Sequence, residues 1–163
     1  MARKKYSVGV IGLGFGRAHI PAFQANGCEV VAVCQRNQET ARSVAARYNV
    51  PGVFERWEQM LEQAKPDIVV IASPPNLHRE IALRALEQGV HVLCEKPLAM
   101  TAAEGRDMVA AADRAQRVAR PSTGASSPPC SASTRWWRRG PSAASSTRRA
   151  AGSGRAGPTS PRR

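Results

Sequence analysis

The sequence predicts an α/β fold, a doubly wound parallel sheet with helices on both faces. Three observations predict it. Short apolar runs alternate with longer amphipathic stretches. The connections between them are short. Glycines close the first apolar run, and Gly27 and Gly89 stop two of the amphipathic stretches.

Each element has its own local reason. "YSVGVIG" (6–12) is a continuous apolar run ending in glycine, as a strand buried on both faces should be. "RAHIPAFQANG" (17–27) reads as a helix, with Pro21 confined to its first turn or kinking it. "EVVAVC" (29–34) is a second strand. In "NQETARSVAARYN" (37–49), Asn37 can cap a helix, and Ala41, Val44, Ala45 and Tyr48 share one face. "VF" (53–54) is a brief third strand, and "RWEQMLEQAK" (56–65) is a helix presenting Trp57, Met60 and Leu61. "DIVVIAS" (67–73) is the clearest strand; the helix "NLHREIALRALEQG" (76–89) and the strand "VHVLC" (90–94) follow. "TAAEGRDMVAAADRAQ" (101–116) opens with a T-x-x-E capping box, Thr101 with Glu104. "RVA" (117–119) reads as the first residues of a sixth strand, at which the domain is expected to be cut, leaving the fold incomplete.

Charge divides the chain. Of its 163 residues, 1–118 hold 15 Lys and Arg against 12 Asp and Glu, whereas 119–163 hold 9 Arg and no acid. The whole-chain charge of +12 therefore belongs mostly to the second part, which has no Ile, Leu, Val or Phe. Such a segment cannot bury enough apolar surface to offset the entropy of ordering it, so a disordered tail is expected. None of Cys28, Cys34, Cys94 and Cys130 forms a C-x-x-C pair. Structural thiols in a reducing, cytoplasmic setting fit better than a disulfide framework, and no metal site is expected. No stretch approaches the length of a membrane span.

"GVIGLGFGRAH" places Gly12, Gly14, Phe15 and Gly16 at the first strand-to-helix turn. Glycine there permits the tight turn and lets backbone amides approach a pyrophosphate at the positive end of a helix. The usual third glycine would fall at Arg17. At the end of the second strand an acid would hold ribose hydroxyls and favour NAD. The chain has Gln35 and Arg36 there, so no carboxylate repels a 2′-phosphate and a guanidinium can pair with one. NADP is thus favoured over NAD, unless Arg36 is merely a solvated loop residue.

Two more stretches lie at the carboxyl ends of strands: "IASPPNLH" (71–78) and "CEKPLA" (94–99). Together with "GFGRAHIPAF", in this order and spacing over residues 6 to 118, they resemble the N-terminal NAD(P)-binding Rossmann domain of the Gfo/Idh/MocA oxidoreductases. The resemblance implies hydride transfer between a nicotinamide cofactor and a sugar, inositol or related polyol. It implies that Lys96 lies beside the nicotinamide and the substrate hydroxyl and assists proton transfer, with Glu95 near the nicotinamide ribose and Pro97 following a cis peptide. It further implies that Ser73, Pro75, Asn76 and His78 line the cofactor. For His78 and His19 the plainer reading is a polar residue in a helix's first turn without chemistry.

Members of this family continue into a second α+β domain that builds the substrate pocket and the subunit interface, and nothing in residues 119–163 matches it. The Arg-Pro-Ser-Ala-Gly composition is what a GC-rich coding sequence gives when read out of frame. Trp136 and Trp137 fix TGG codons that a shifted frame turns into an aliphatic residue, Val, then Ala or Glu. The expectation is a frameshift near codons 118–120, a missing substrate domain and a catalytically incomplete chain. The rival readings are a non-catalytic nucleotide-binding module and a basic nucleic-acid-binding arm. The arm shows no fold motif, repeat or helical spacing.

Overall fold

The computed structural model describes residues 5–122. Six strands form one parallel sheet: β1 (Ser7–Ile11), β2 (Glu29–Cys34), β3 (Gly52–Phe54), β4 (Ile68–Ile71), β5 (His91–Cys94) and β6 (Ala119–Pro121). Five α-helices connect them: α1 (His19–Ala25), α2 (Gln38–Tyr48), α3 (Trp57–Ala64), α4 (His78–Glu87) and α5 (Ala102–Ala115). A single 3-10 turn leads into each of α1 and α4. The strand order is β3-β2-β1-β4-β5-β6, with every neighbour pair parallel. The order reverses at β1, between its neighbours β2 and β4. That is the topological switch point at which open sheets of this kind bind ligands.

The sheet is buried on both faces because strand side chains alternate between them. Val69 and Ile71 of β4 pack with Met60, Leu61, Ile81, Leu86 and Met108 of α3, α4 and α5. Ile68 and Val70 of the same strand pack with Ile20, Ala41, Val44 and Ala45 of α1 and α2. A strand of four consecutive branched residues is therefore wholly buried. Each such side chain contributes about 1.5–3 kcal/mol when fully removed from water.

Local signals set the ends of the elements. Asn37 Oδ1 accepts from the Thr40 amide at 3.0 Å, and Thr101 Oγ1 accepts from the Glu104 amide at 3.2 Å. Each cap contributes about 1 kcal/mol. The Glu104 carboxylate reaches back to the Met100 amide, one residue before the cap, rather than to the amide of Thr101 itself. Pro21 sits in the first turn of α1, where its missing N–H costs nothing. At the amino edge of the sheet, the Asp67 carboxylate accepts from both the amide and hydroxyl of Ser7, pinning β4 to β1.

The sheet does not stop at the expected cut. Ala119, Arg120 and Pro121 run beside Val92, Leu93 and Cys94 as a complete, if short, sixth strand. Val92 donates to the Val118 carbonyl at 2.8 Å, and the Ser122 amide donates to Cys94 at 2.6 Å. Composition misplaced this boundary because strand pairing uses the backbone. The open edge of β5 offers donors and acceptors whatever side chains follow. Beyond Ser122, the expected tail lies outside the described residues. Among the described residues, no helix is long and apolar enough to cross a membrane.

Candidate functional site

All strands point the same way, so the segments that follow β1, β2, β4 and β5 meet at one edge of the sheet. The turn after β1 carries Gly12, Gly14, Phe15 and Gly16. Gln35 and Arg36 follow β2, Ser73 to Asn76 follow β4, and Glu95 to Pro97 follow β5. Backbone bonds continue the sheet into this edge. Gly12 donates to Cys34, Ala72 to Ile11, and Glu95 to Ile71, at 2.8–2.9 Å.

The glycine turn is tight where it must be and open where a ligand would lie. Gly12 has φ +83°, and a Cβ there would stand 2.3 Å from the Ala72 carbonyl oxygen. Only glycine fits such a position. At Gly14, by contrast, a Cβ would meet nothing within 4 Å, and the residue is exposed. Among the described residues no acceptor meets the amides of Gly14 and Phe15. Phe15 is 80% exposed at the tip of the turn. Gly16 is buried under the turn: a Cβ would press on Val10 and Ala72 at 3.0–3.1 Å. Close packing of turn on sheet is thus supplied one residue earlier than the usual third glycine, and Arg17 points to solvent.

Gln35 serves the turn directly. Its Oε1 accepts from the Leu13 amide at 3.2 Å, and its own carbonyl accepts from Gln38. Arg36 is exposed beside it. Arg17 lines an open groove of about 630 Å³ that runs along α2 past Glu39, Thr40 and Ser43 to Arg47 and Tyr48.

On the other side of the switch point, Glu95 is the centre of a hydrogen-bonded knot. Its Oε1 lies 2.7 Å from His19 Nε2, at the start of α1, and its Oε2 accepts from the Lys96 amide at 3.2 Å. Burial pushes the Glu95 carboxyl up, but hydrogen bonds from His19, Ser122 and the Lys96 amide, with the His19 charge, outweigh it and hold it below the ordinary 4.5. The Lys96–Pro97 peptide is cis, and Lys96 itself is exposed. Pro75 is half-buried and Asn76 exposed, both in the 3-10 turn leading into α4. Ser73 Oγ is a buried hydroxyl with no partner among the described residues. The exposed Gly14 backbone and the Ser73 hydroxyl, buried without a partner among the described residues, both lie at the carboxyl edge of the sheet, where sheets of this order form a ligand cleft.

His78 does not join that cleft. It is 1% exposed, and its two ring nitrogens lie against the carbonyl oxygens of Pro97 and Ser73. The ring sits beneath the two loops and is fully engaged, so it has no atom left to offer a cofactor. His19, which reads from sequence as a polar residue without chemistry, is in contact with Glu95 across 76 residues of chain. The available signal was weak: a helix that starts after the glycine turn aims its first side chains at the same edge as Glu95.

Cys28, Cys34 and Cys94 are free thiols. Burial, reinforced by Glu58 and Glu55 for Cys34 and by Glu95 for Cys94, pushes both up to about 12. Among the described residues no cluster of three or more His, Cys, Asp or Glu could hold a metal ion.

A parallel sheet ordered 3-2-1-4-5-6, with a glycine turn opening its first helix, defines a Rossmann-type dinucleotide-binding domain. The pattern of the oxidoreductase family with an NAD-binding Rossmann fold, GFO_IDH_MocA, matches residues 6–122, and the chain belongs to that family. It is 43% identical over 83 residues to D-glucoside 3-dehydrogenase of Escherichia coli (strain K12), a match spanning 51% of this chain and 24% of that enzyme. It is 36% identical over 97 residues to D-xylose 1-dehydrogenase (NADP(+)) 2 of Haloferax volcanii, spanning 60% of this chain and 30% of that enzyme. A solved levoglucosan dehydrogenase, in complex with NADH and levoglucosan, superposes with a TM-score of 0.66 at 33% identity, over 72% of this chain and 35% of that one. The chain thus spans about a quarter to a third of the relatives it matches.

Proposed function

We propose that residues 6–122 bind a nicotinamide dinucleotide, NADP(H) ahead of NAD(H), for hydride transfer at a hydroxyl carbon of a sugar or polyol. The observation that carries the reading is the glycine turn: tight at Gly12, open at Gly14, with the amides of Gly14 and Phe15 unmet among the described residues. The amides of Gly14 and Phe15 would hold the diphosphate at the positive start of the helical segment that leads into α1. Arg36, with no carboxylate at the end of β2, would pair with a 2′-phosphate. Ser73, Pro75 and Asn76 would line the nicotinamide half, opposite Glu95 to Pro97. The bound dinucleotide would supply or accept the hydride.

The chain's own part in the chemistry centres on Lys96. The exposed Lys96 side chain at the carboxyl edge can hydrogen-bond a substrate hydroxyl, and in its neutral amine form would take the hydroxyl proton as the carbon gives up hydride. Glu95, held ionised by His19, fixes the backbone on which Lys96 is mounted. The sugar class is supported by the names of the relatives. The free buried thiols support residence in the reducing cytoplasm.

A second reading has its own support. The matched region is a minor fraction of each relative's length. On that basis the chain acts as a nucleotide-binding module without turnover. One preparation separates the two. Titration with NADPH, NADH and ADP measures binding, and the rise of the reduced-nicotinamide absorbance band on mixing NADP⁺ or NAD⁺ with glucosides, xylose and inositol measures turnover. Binding with turnover supports the enzyme and binding alone the module; no binding to any of the three nucleotides refutes both.

A further inference from the structure

His78 opens α4 directly beneath the cleft and is as buried as any core residue, at 1% exposure. Its Nδ1 lies 2.9 Å from the Pro97 carbonyl oxygen and its Nε2 lies 2.8 Å from the Ser73 carbonyl oxygen. Carbonyl oxygens only accept. A neutral imidazole carries one N–H and one lone pair, so whichever tautomer formed would press its lone pair against an oxygen within 2.9 Å. Only the doubly protonated ring donates to both.

The two carbonyls belong to different loops. Ser73 begins the loop that carries Asn76, and Pro97 ends the segment that carries Lys96. We propose that His78 is held as an imidazolium whose two N–H groups clamp these loops together, making it a positioning residue for both walls of the nicotinamide half of the cleft.

The surroundings are consistent with a charge satisfied by carbonyl dipoles alone. On α4, the neighbouring Arg79 pairs with Asp107 of α5 at 2.8 Å, and Glu80 is exposed. On α5, Glu104 is spent on the Met100 amide and Arg106 is exposed. At the end of β5, Cys94 is a protonated thiol directed at the Leu98 carbonyl, Glu95 is committed to His19, and Lys96 faces solvent. β4 carries no ionisable group. Two charge-assisted bonds to fixed oxygens would offset part of the cost of burying the ring's charge.

The protonation half of this inference stands on the geometry alone; the positioning half rests on the dinucleotide reading above. The whole chain, labelled with ¹⁵N-histidine, tests the first half. There are three histidines in the sequence, so H19Q and H91Q variants assign the third. The expected result at neutral pH is two directly bonded N–H correlations from the His78 ring, both nitrogens at the protonated shift. One N–H with the partner nitrogen at the lone-pair shift overturns the proposal.

Titration of H78Q with NADPH and with ADP tests the second half. Glutamine keeps a donor but cannot span both carbonyls. About a tenfold loss for NADPH is expected, with ADP affinity kept within twofold, because ADP needs only the glycine-turn side. Equal losses for both ligands mean a general fold defect and overturn the positioning role. If the wild-type chain binds neither ligand, the dinucleotide reading fails and the positioning role falls with it, while the NMR result on protonation stands by itself.

Discussion

Gly14 and Gly12 lie two residues apart, yet the same substitution should act on different quantities at each. At Gly14 an added methyl meets nothing within 4 Å, and the backbone is not in the left-handed region. G14A therefore leaves the fold intact, and its melting temperature stays within about 2 °C of wild type, as expected for a surface change of under 0.5 kcal/mol. The methyl nevertheless projects into the space where backbone amides would meet a diphosphate. Holding the phosphate back weakens charge-assisted bonds that contribute about 1.5–3 kcal/mol each. Affinity for NADPH should fall by about tenfold to a hundredfold, which is about 1.4–2.8 kcal/mol. At Gly12 the methyl collides with the Ala72 carbonyl at 2.3 Å and must adopt φ +83°. Left-handed strain of about 1–2 kcal/mol and overpacking of about 1–3 kcal/mol then destabilise the fold. That lowers the melting temperature by on the order of 10–20 °C. Calorimetric titration and thermal unfolding of both variants read the two effects separately. Wild-type NADPH affinity in a folded G14A would refute the cradle, however well the rest of the site is formed.

R36A should lower NADPH affinity about tenfold, or about 1.4 kcal/mol, and leave NADH affinity within twofold; an equal loss for both would return Arg36 to the solvated loop. Cys34 and Cys94, pushed up to about 12, should hold on the order of 10⁻⁴ of their thiol as thiolate at pH 8. Peptide mapping after iodoacetamide should therefore find Cys28 alkylated long before either. Their raised folded values contribute stability that is fully present below about pH 9 and is lost as pH rises toward 12. Glu95 has the opposite sign: its lowered folded value contributes stability fully present above pH 4.5 and lost progressively as pH falls from there through the lower folded value. Urea unfolding across pH 3–6 should show this acid loss, and H19A, which removes the strongest of the lowering contacts, should make it shallower. The coding sequence through codons 118–170, read in the shifted frame, should spell alternating apolar helix and strand patterns; an early stop there would refute the frameshift.

The fold was legible because its signals are local and repeated. β4 needs only four apolar residues in a row, and α2 needs only Asn37 and the spacing of Ala41, Val44 and Ala45. The glycine turn was legible for a related reason, since a positive φ leaves its mark on residue type at a single position. The boundary at β6 was not legible, because Arg120 and Pro121 join the sheet through backbone atoms that composition does not report.

The interior of the site was illegible for a different reason, and it bears on how the site would work. Gln35 is a nonstandard residue where an acid is usual, and from sequence its effect is on cofactor choice alone. In the fold it also bonds the Leu13 amide, so it shapes the glycine turn it sits beside. His19 joins α1 to the Lys96 segment through Glu95, and His78 joins that same segment to the loop after β4. Each tie crosses from one strand's loop to another's, beyond the last main-chain bonds at Gly12, Ala72 and Glu95. Past those bonds, side-chain contacts help set how far apart the loops stand. A one-residue reading credits the glycines and Lys96, which would meet the ligand, and overlooks the residues that hold them in register. Replacing Gln35 by Glu would test this division: the carboxylate can still accept from Leu13, so turn geometry should survive while NADPH affinity falls relative to NADH. If melting temperature and NADH affinity fell as well, Gln35 would not be separable into a structural bond and a charge, and the cofactor argument from this position would have to be abandoned.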